Sequence, residues 1–290
     1  MRFYSPLRYP GGKGKISKYF KDILIKNKLY NPIYVELYAG GASVALSLLI
    51  DGYVSKVIIN DFDRSIYAFW HSVLYDTEKF CDIIEKTPVN LRVWEKQKEI
   101  QKRKEEVDLL ELGFSTFFLN RTNRSGIIMA GVIGGRKQLG KWKIDARYNK
   151  TDLITRIRKI ASFKNTIELH NEDAIKLLSK LSKSLPKNTL FYLDPPYHVK
   201  GKDLYFNYYT DKEHRDISEA INKLNKHRWV ITYDNTSLIR ELYEPYKQKI
   251  KYSLRYSAGM NKTGEELIIF SNNMQIAGSN VSLLGISPIS

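Results

Sequence analysis

YVELYAGGASVALSLLI, residues 34–50, decides the fold. YVELY has the β-branched and aromatic make-up of a short strand, GGAS is a glycine turn, and VALSLLI continues as an apolar helix. VSKVIINDFD (54–63) then supplies a second strand that ends in acids. Strand, glycine turn, helix and strand in that order open an α/β nucleotide-binding unit.

That alternation pauses after residue 63. Tyr67, Trp70, Val73 and Leu74 recur at helical spacing, and RVWEKQKEIQKRKEEVDLLELGF mixes both signs of charge as a solvated helix face does. FFLNRTNRSGIIMAGVIGGRKQLGKWKIDARYNK follows, rich in glycine, Arg and Lys, and reads as loops and a hairpin. The α/β pattern resumes with strand TIELH (166–170), helix AIKLLSKLSKSL and strand LFYLD. Helix ISEAINKLN (217–225), strand WVITYDN and a hairpin of QKIKYSLRYS with EELIIFSN complete it. The expected organisation is a discontinuous catalytic domain of residues 1–63 and 164–273, an insertion at 64–163, and a tail, 274–290, too polar and small to pack.

Composition narrows the partners. The chain has 290 residues, a formal net charge of +16 and a pI near 9.6. Between Asn120 and Lys164 twelve basic residues face only Asp145 and Asp152, so this segment carries most of the excess. Clustered cations that displace counterions suit a phosphate backbone. A single cysteine, Cys81, in an apolar-periodic setting, excludes an internal disulfide and a cysteine-rich zinc site, and the five histidines lack metal-ligand spacing. No metal is expected. Neither a secretory signal nor an apolar run long enough to span a bilayer is present, so the expected location is cytoplasmic, with no membrane partner.

In open parallel sheets ligands bind at the carboxyl ends of the strands. The candidate elements all fall there: ELYAGGAS, with Glu36, Gly40 and Gly41; Asp61; Asn171-Glu172-Asp173; and Asp194-Pro195-Pro196-Tyr197. The glycine turn has neither the spacing of a dinucleotide fingerprint nor a Walker lysine. Asp61 follows Gly41 by 20 residues, the separation at which an acid reaches ribose hydroxyls. An adenosyl ligand without a pyrophosphate fits both facts. DPPY alone also reads as a strand terminator with a solvated acid. Its two prolines stiffen the chain and leave the Pro195 carbonyl able to accept.

Together RYPGGKGK, ELYAGGAS, INDFD, FFLNRT, DPPY and TGEELIIFSN resemble the α-class DNA adenine methyltransferases that include the GATC methylases. The resemblance implies S-adenosylmethionine as cofactor and a Rossmann-like, mixed seven-stranded sheet with an inserted, mainly helical recognition domain. It implies an adenine-specific, sequence-specific DNA methyltransferase that flips its target base, with double-stranded DNA as partner and, in some settings, a cognate restriction endonuclease. Tyr9, where many members carry tryptophan, and Lys13 match cofactor positions, as do Asp61 and Asp194; Glu36, Gly40, Gly41 and Asp173 are expected beside them. Asp194, Pro195 and Tyr197 are the expected catalytic group. Asn120, Arg121, Asn123, Arg124, Arg136, Lys137, Lys141 and Lys143 are the expected DNA contacts. The segment after Arg124 departs from the GATC methylases, which leaves the recognition sequence unread. A catalytically inactive DNA-binding protein and an RNA methyltransferase are the alternatives. VKGKDLYFNYYT (199–210) reads either as a loop that closes over the base or as aromatic packing.

Overall fold

The computed structural model describes residues 4–8, 14–198, 209–256, 262–277 and 286–288. Five short apolar runs form parallel strands: β1 (Ile33–Glu36), β2 (Lys56–Asn60), β3 (Ile167–His170), β4 (Thr189–Leu193) and β5 (Arg228–Asp234). β6 (Lys249–Tyr256) and β7 (Lys262–Phe270) pair antiparallel, and β7 runs antiparallel beside β5. Every residue of β4 is buried, as expected of a central strand covered on both faces. Among the described residues the sheet order is β3-β2-β1-β4-β5-β7-β6-β8.

The seven expected strands are therefore present, and β8 (Ile286–Pro288) adds a short eighth against β6. This corrects the reading of the tail as unpacked. Met274 and Ala277 are buried, and the Asn27 side chain exchanges two hydrogen bonds with the Gln275 backbone, at 2.7 and 2.8 Å. Pairing of that kind depends on a residue some 250 positions away, which composition does not reveal.

Helices cover both faces. α1 (Gly14–Lys26) buries Ile16, Tyr19, Phe20, Ile23 and Leu24, a stripe at helical period. It lies with α2 (Ser43–Ile50) on one face. α8 (Ala174–Ser184), α9 (Asp211–Asn222) and α10 (Ser237–Leu242) cover the other. A capping box of Thr210 and Glu213 starts α9.

Between β2 and β3 lie α3 (Arg64–Tyr75), α4 (Thr77–Lys86), α5 (Leu91–Lys102), α6 (Leu109–Thr122) and α7 (Lys150–Ala161). α3 and α6 approach so closely at Gly113 that a Cβ there would stand 2.5 Å from the Ala68 carbonyl oxygen. Phe69, Phe80, Phe117 and Tyr148 of this region share one continuous core with Tyr34, Val57 and Tyr192 of the sheet. The expected hairpin after α6 is instead a 3-10 turn, Arg124–Gly126, with a single antiparallel bridge from Asn123 to Val132. Cys81 on α4 is buried, and burial pushes its thiol up to about 11, a packing residue in an unreactive form.

Candidate active site at the carboxyl edge of the sheet

The glycine turn leaves β1 at Glu36. Gly40 adopts φ +46°, and so does Ala42 at the start of α2. Trp70 of α3 donates its indole N–H to the Gly40 carbonyl at 2.8 Å, which pins the turn from below. Glu36 is buried beneath α2 and accepts from the Ala45 amide at 3.0 Å, a carboxylate set against a helix N-terminus.

Asp61 faces this turn from the end of β2. Its carboxylate accepts the Gly40 amide at 2.8 Å and the Asp63 amide at 3.0 Å. Burial and the neighbouring Asp63 charge nevertheless push its pKa up to about 7, since two backbone donors only partly offset them. Asp63 caps α3 through Ser65 and pairs with Lys104 at 3.2 Å. Phe62, between the two acids, is 64% exposed. Asp173 caps α8, accepting from Lys176 at 2.9 Å.

Sequence reasoning missed the residue that gathers these pieces. Asn60 is fully buried; its amide donates to the Leu37 and Glu172 carbonyls, both at 3.0 Å, and accepts the Glu172 amide at 2.9 Å. One side chain thus ties the ends of β1 and β2 to the turn after β3. The signal was present: an asparagine at the inner end of VIIN needs buried partners.

β4 ends in Asp194, Pro195, Pro196 and Tyr197. Thr232 of β5 donates to Asp194 Oδ1 at 2.6 Å, and the Tyr192 and Thr232 hydroxyls lie 3.0 Å apart. Tyr197 donates to buried Glu266 of β7 at 2.7 Å, and Tyr252 of β6 donates to the same carboxylate oxygen. Asp234, opposite Glu266 in register, accepts the His198 amide at 2.9 Å. Three neighbouring strands therefore hold the tetrapeptide and the residue after it. Tyr9 and Lys13 lie outside the described residues, as do residues 199–208; Tyr209, just beyond, packs edge-on against Tyr38.

The expected DNA contacts divide sharply. Asn120 is 1% exposed, exchanges hydrogen bonds with the Arg8 backbone at 2.7 and 2.8 Å, and donates to Gly126. Asn123 is 0% exposed; it accepts from the Trp94 indole at 2.6 Å and donates to the Ile127 and Ile128 carbonyls. Both are corrections to the sequence reading: these amides build the loop and turn no hydrogen-bonding edge outward. Arg121 is half-buried and donates to the Arg147 and Pro6 carbonyls. Burial, with Arg8 and Arg156 nearby, lowers its pKa to about 10. Of the remaining cations in the segment, Arg158 pairs with Glu78 and Arg156 with Asp152.

Arg124, Arg136, Lys137, Lys141 and Lys143 are exposed, as is Arg147. Gln138, at φ +49°, organises their loop by donating to the Ile133 and Gly135 carbonyls and accepting the Ile144 amide. Trp142, 58% exposed, lies under Lys141 and Arg147, each 5.7 Å from its ring centre. Among the described residues no helix is long and apolar enough to cross a membrane.

Among solved structures the chain is similar to the rRNA methyltransferase aviRa from Streptomyces viridochromogenes, at 11% identity and a TM-score of 0.39, over 93% of this chain and 89% of that one. It is also similar to a SAM-dependent methyltransferase from Agrobacterium tumefaciens, at 9% identity and a TM-score of 0.39, over 89% and 62%. No curated protein matches. The sequence model of the D12 class N6 adenine-specific DNA methyltransferases matches residues 9–256, a span that holds the glycine turn, Asp61, the basic loop and DPPY. With most of its length inside that match, the chain belongs to the D12 class N6 adenine-specific DNA methyltransferase family.

Proposed function

We propose that this protein methylates the N6 amine of adenine at a specific sequence in double-stranded DNA, with the target base turned out of the helix. The cofactor of the family is S-adenosylmethionine, and the residues present fit it. A backbone turn with glycine at positive φ, an acid held against that turn by the Gly40 amide and an exposed aromatic, Phe62, stand together. Glu36, Asp61 and Asp63 place carboxyl groups at the turn and the helix that follows it, and in their ionised forms these suit a cationic ligand. When bound, the cofactor supplies a methyl group activated by a sulfonium.

The observation that carries the reading is the order of groups at the end of β4. An acceptor carboxylate, an acceptor carbonyl that proline holds rigid, and an aromatic ring sit side by side next to the Asp61 turn. An exocyclic adenine amine is a weak nucleophile because its lone pair is delocalised into the ring. Asp194 and the Pro195 carbonyl can accept its two N–H bonds and draw the nitrogen toward tetrahedral geometry, with the lone pair directed at the methyl. Tyr197 offers a face for the base to stack on.

The exposed cations of the loop after α6 support a phosphate-rich partner. Exposed Trp142 and Leu139 among them are apolar groups that nucleic-acid bases can pack against. Of the residues first expected to read bases, Arg124 retains an outward side chain, and we assign it that role. Single-molecule sequencing of DNA from cells expressing the protein tests the proposal: it predicts N6-methyladenine confined to one motif. Unmodified DNA accompanied by newly methylated RNA would overturn it.

A further inference from the structure

Thr232 sits in the strand RWVITYD, is 0% exposed, and occupies a position where valine would keep both the branching and the packing. A hydroxyl buried there is costly unless bonded, so its partners explain it. Among them are Asp194 Oδ1 at 2.6 Å and the Tyr192 hydroxyl at 3.0 Å.

The direction of the chain follows from donor counting. An ionised carboxylate only accepts, and threonine has one hydroxyl hydrogen, so that hydrogen goes to Asp194. Tyr192 must then be the donor to Thr232. Burial, with Asp194 next in effect, pushes the Tyr192 phenol well above its ordinary range, so it keeps its proton and remains a donor. We propose that Thr232 is a positioning residue of the methyl transfer, the middle of a relay from Tyr192 to Asp194 that fixes the plane of the carboxylate against the Pro195 carbonyl. This rests on the assignment of Asp194 as the group that receives the amine.

Single-turnover methylation by Thr232→Val, Thr232→Ser and Tyr192→Phe tests the proposal, on whichever nucleic acid the wild-type protein methylates. The valine variant should lose roughly tenfold to hundredfold in rate, while its affinities for cofactor and nucleic acid stay within about twofold. Serine should restore the rate, and Tyr192→Phe should fall between. A valine variant with wild-type rate would overturn the proposal; so would a slow one that serine fails to rescue. Methylation of RNA alone by the wild type would instead overturn the functional reading, and the Thr232 comparison would still decide on that substrate.

Discussion

Raising the pH from 6 to 8 should tighten binding of S-adenosylmethionine to the free protein by about tenfold, because ionised Asp61 is the acceptor for the ribose hydroxyls. With Asp61 near 7, about a tenth of molecules hold it ionised at pH 6 and about nine-tenths at pH 8. Affinity follows that fraction, so about 1.4 kcal/mol separates the two conditions. Binding at pH 6 must also expel the proton, about 0.9 per ligand, falling to about 0.1 at pH 8. Calorimetry in two buffers of different ionisation enthalpy, at constant ionic strength, reads both quantities. Asp61→Asn should bind weakly and without dependence on pH in this window. Asp63→Asn should move the transition to lower pH, since the Asp63 charge is the second cause of the shift. A wild-type affinity that is flat from pH 6 to 8, with no proton released, would refute the placement of the cofactor against Asp61.

Three other outcomes follow from named contacts. The folded chain holds the Asp61 proton up to about 7, whereas the unfolded chain releases it at the ordinary aspartate value of 3.8. Stability therefore falls as pH rises through that window, and Asp61→Asn should gain in Tm over wild type from pH 4 to pH 7. Trp94→Phe removes the donor to buried Asn123 and should cost about 1–3 kcal/mol in urea unfolding; an unchanged midpoint would show the bond to be dispensable. Arg124→Ala should relax one base pair of the methylated motif at a cost of about 1–3 kcal/mol, while Lys141→Ala should leave the motif alone and lower the salt slope by about one. Equal, uniform weakening by both would move recognition elsewhere in the loop.

The parts of this site legible in the sequence were those whose neighbours are close in the chain. ELYAGGAS and INDFD carry their own geometry, because a strand, a glycine turn and an acid 20 residues on need no knowledge of the sheet order. DPPY was legible as chemistry but not as a held structure. Thr232 and Glu266 reach it only because β5 pairs with β4 and β7 with β5, pairings that spacing along the chain does not encode. Asn120 and Asn123 misled for a related reason. Residue type advertises a base-reading amide, and only burial shows that Arg8, Gly126, Trp94 and the 127–128 carbonyls already occupy it.

The most direct measurement is transfer of labelled methyl from S-adenosylmethionine into duplex DNA by the wild-type protein and by Asp194→Ala, followed by digestion and identification of the labelled nucleoside. The account predicts N6-methyldeoxyadenosine from the wild type. It predicts a loss of more than about a hundredfold from the variant, with folding and DNA affinity retained, since a partly buried acceptor at an edge is removed and not core packing. Label in cytosine or in RNA alone, or a variant within about tenfold of wild type, would contradict it.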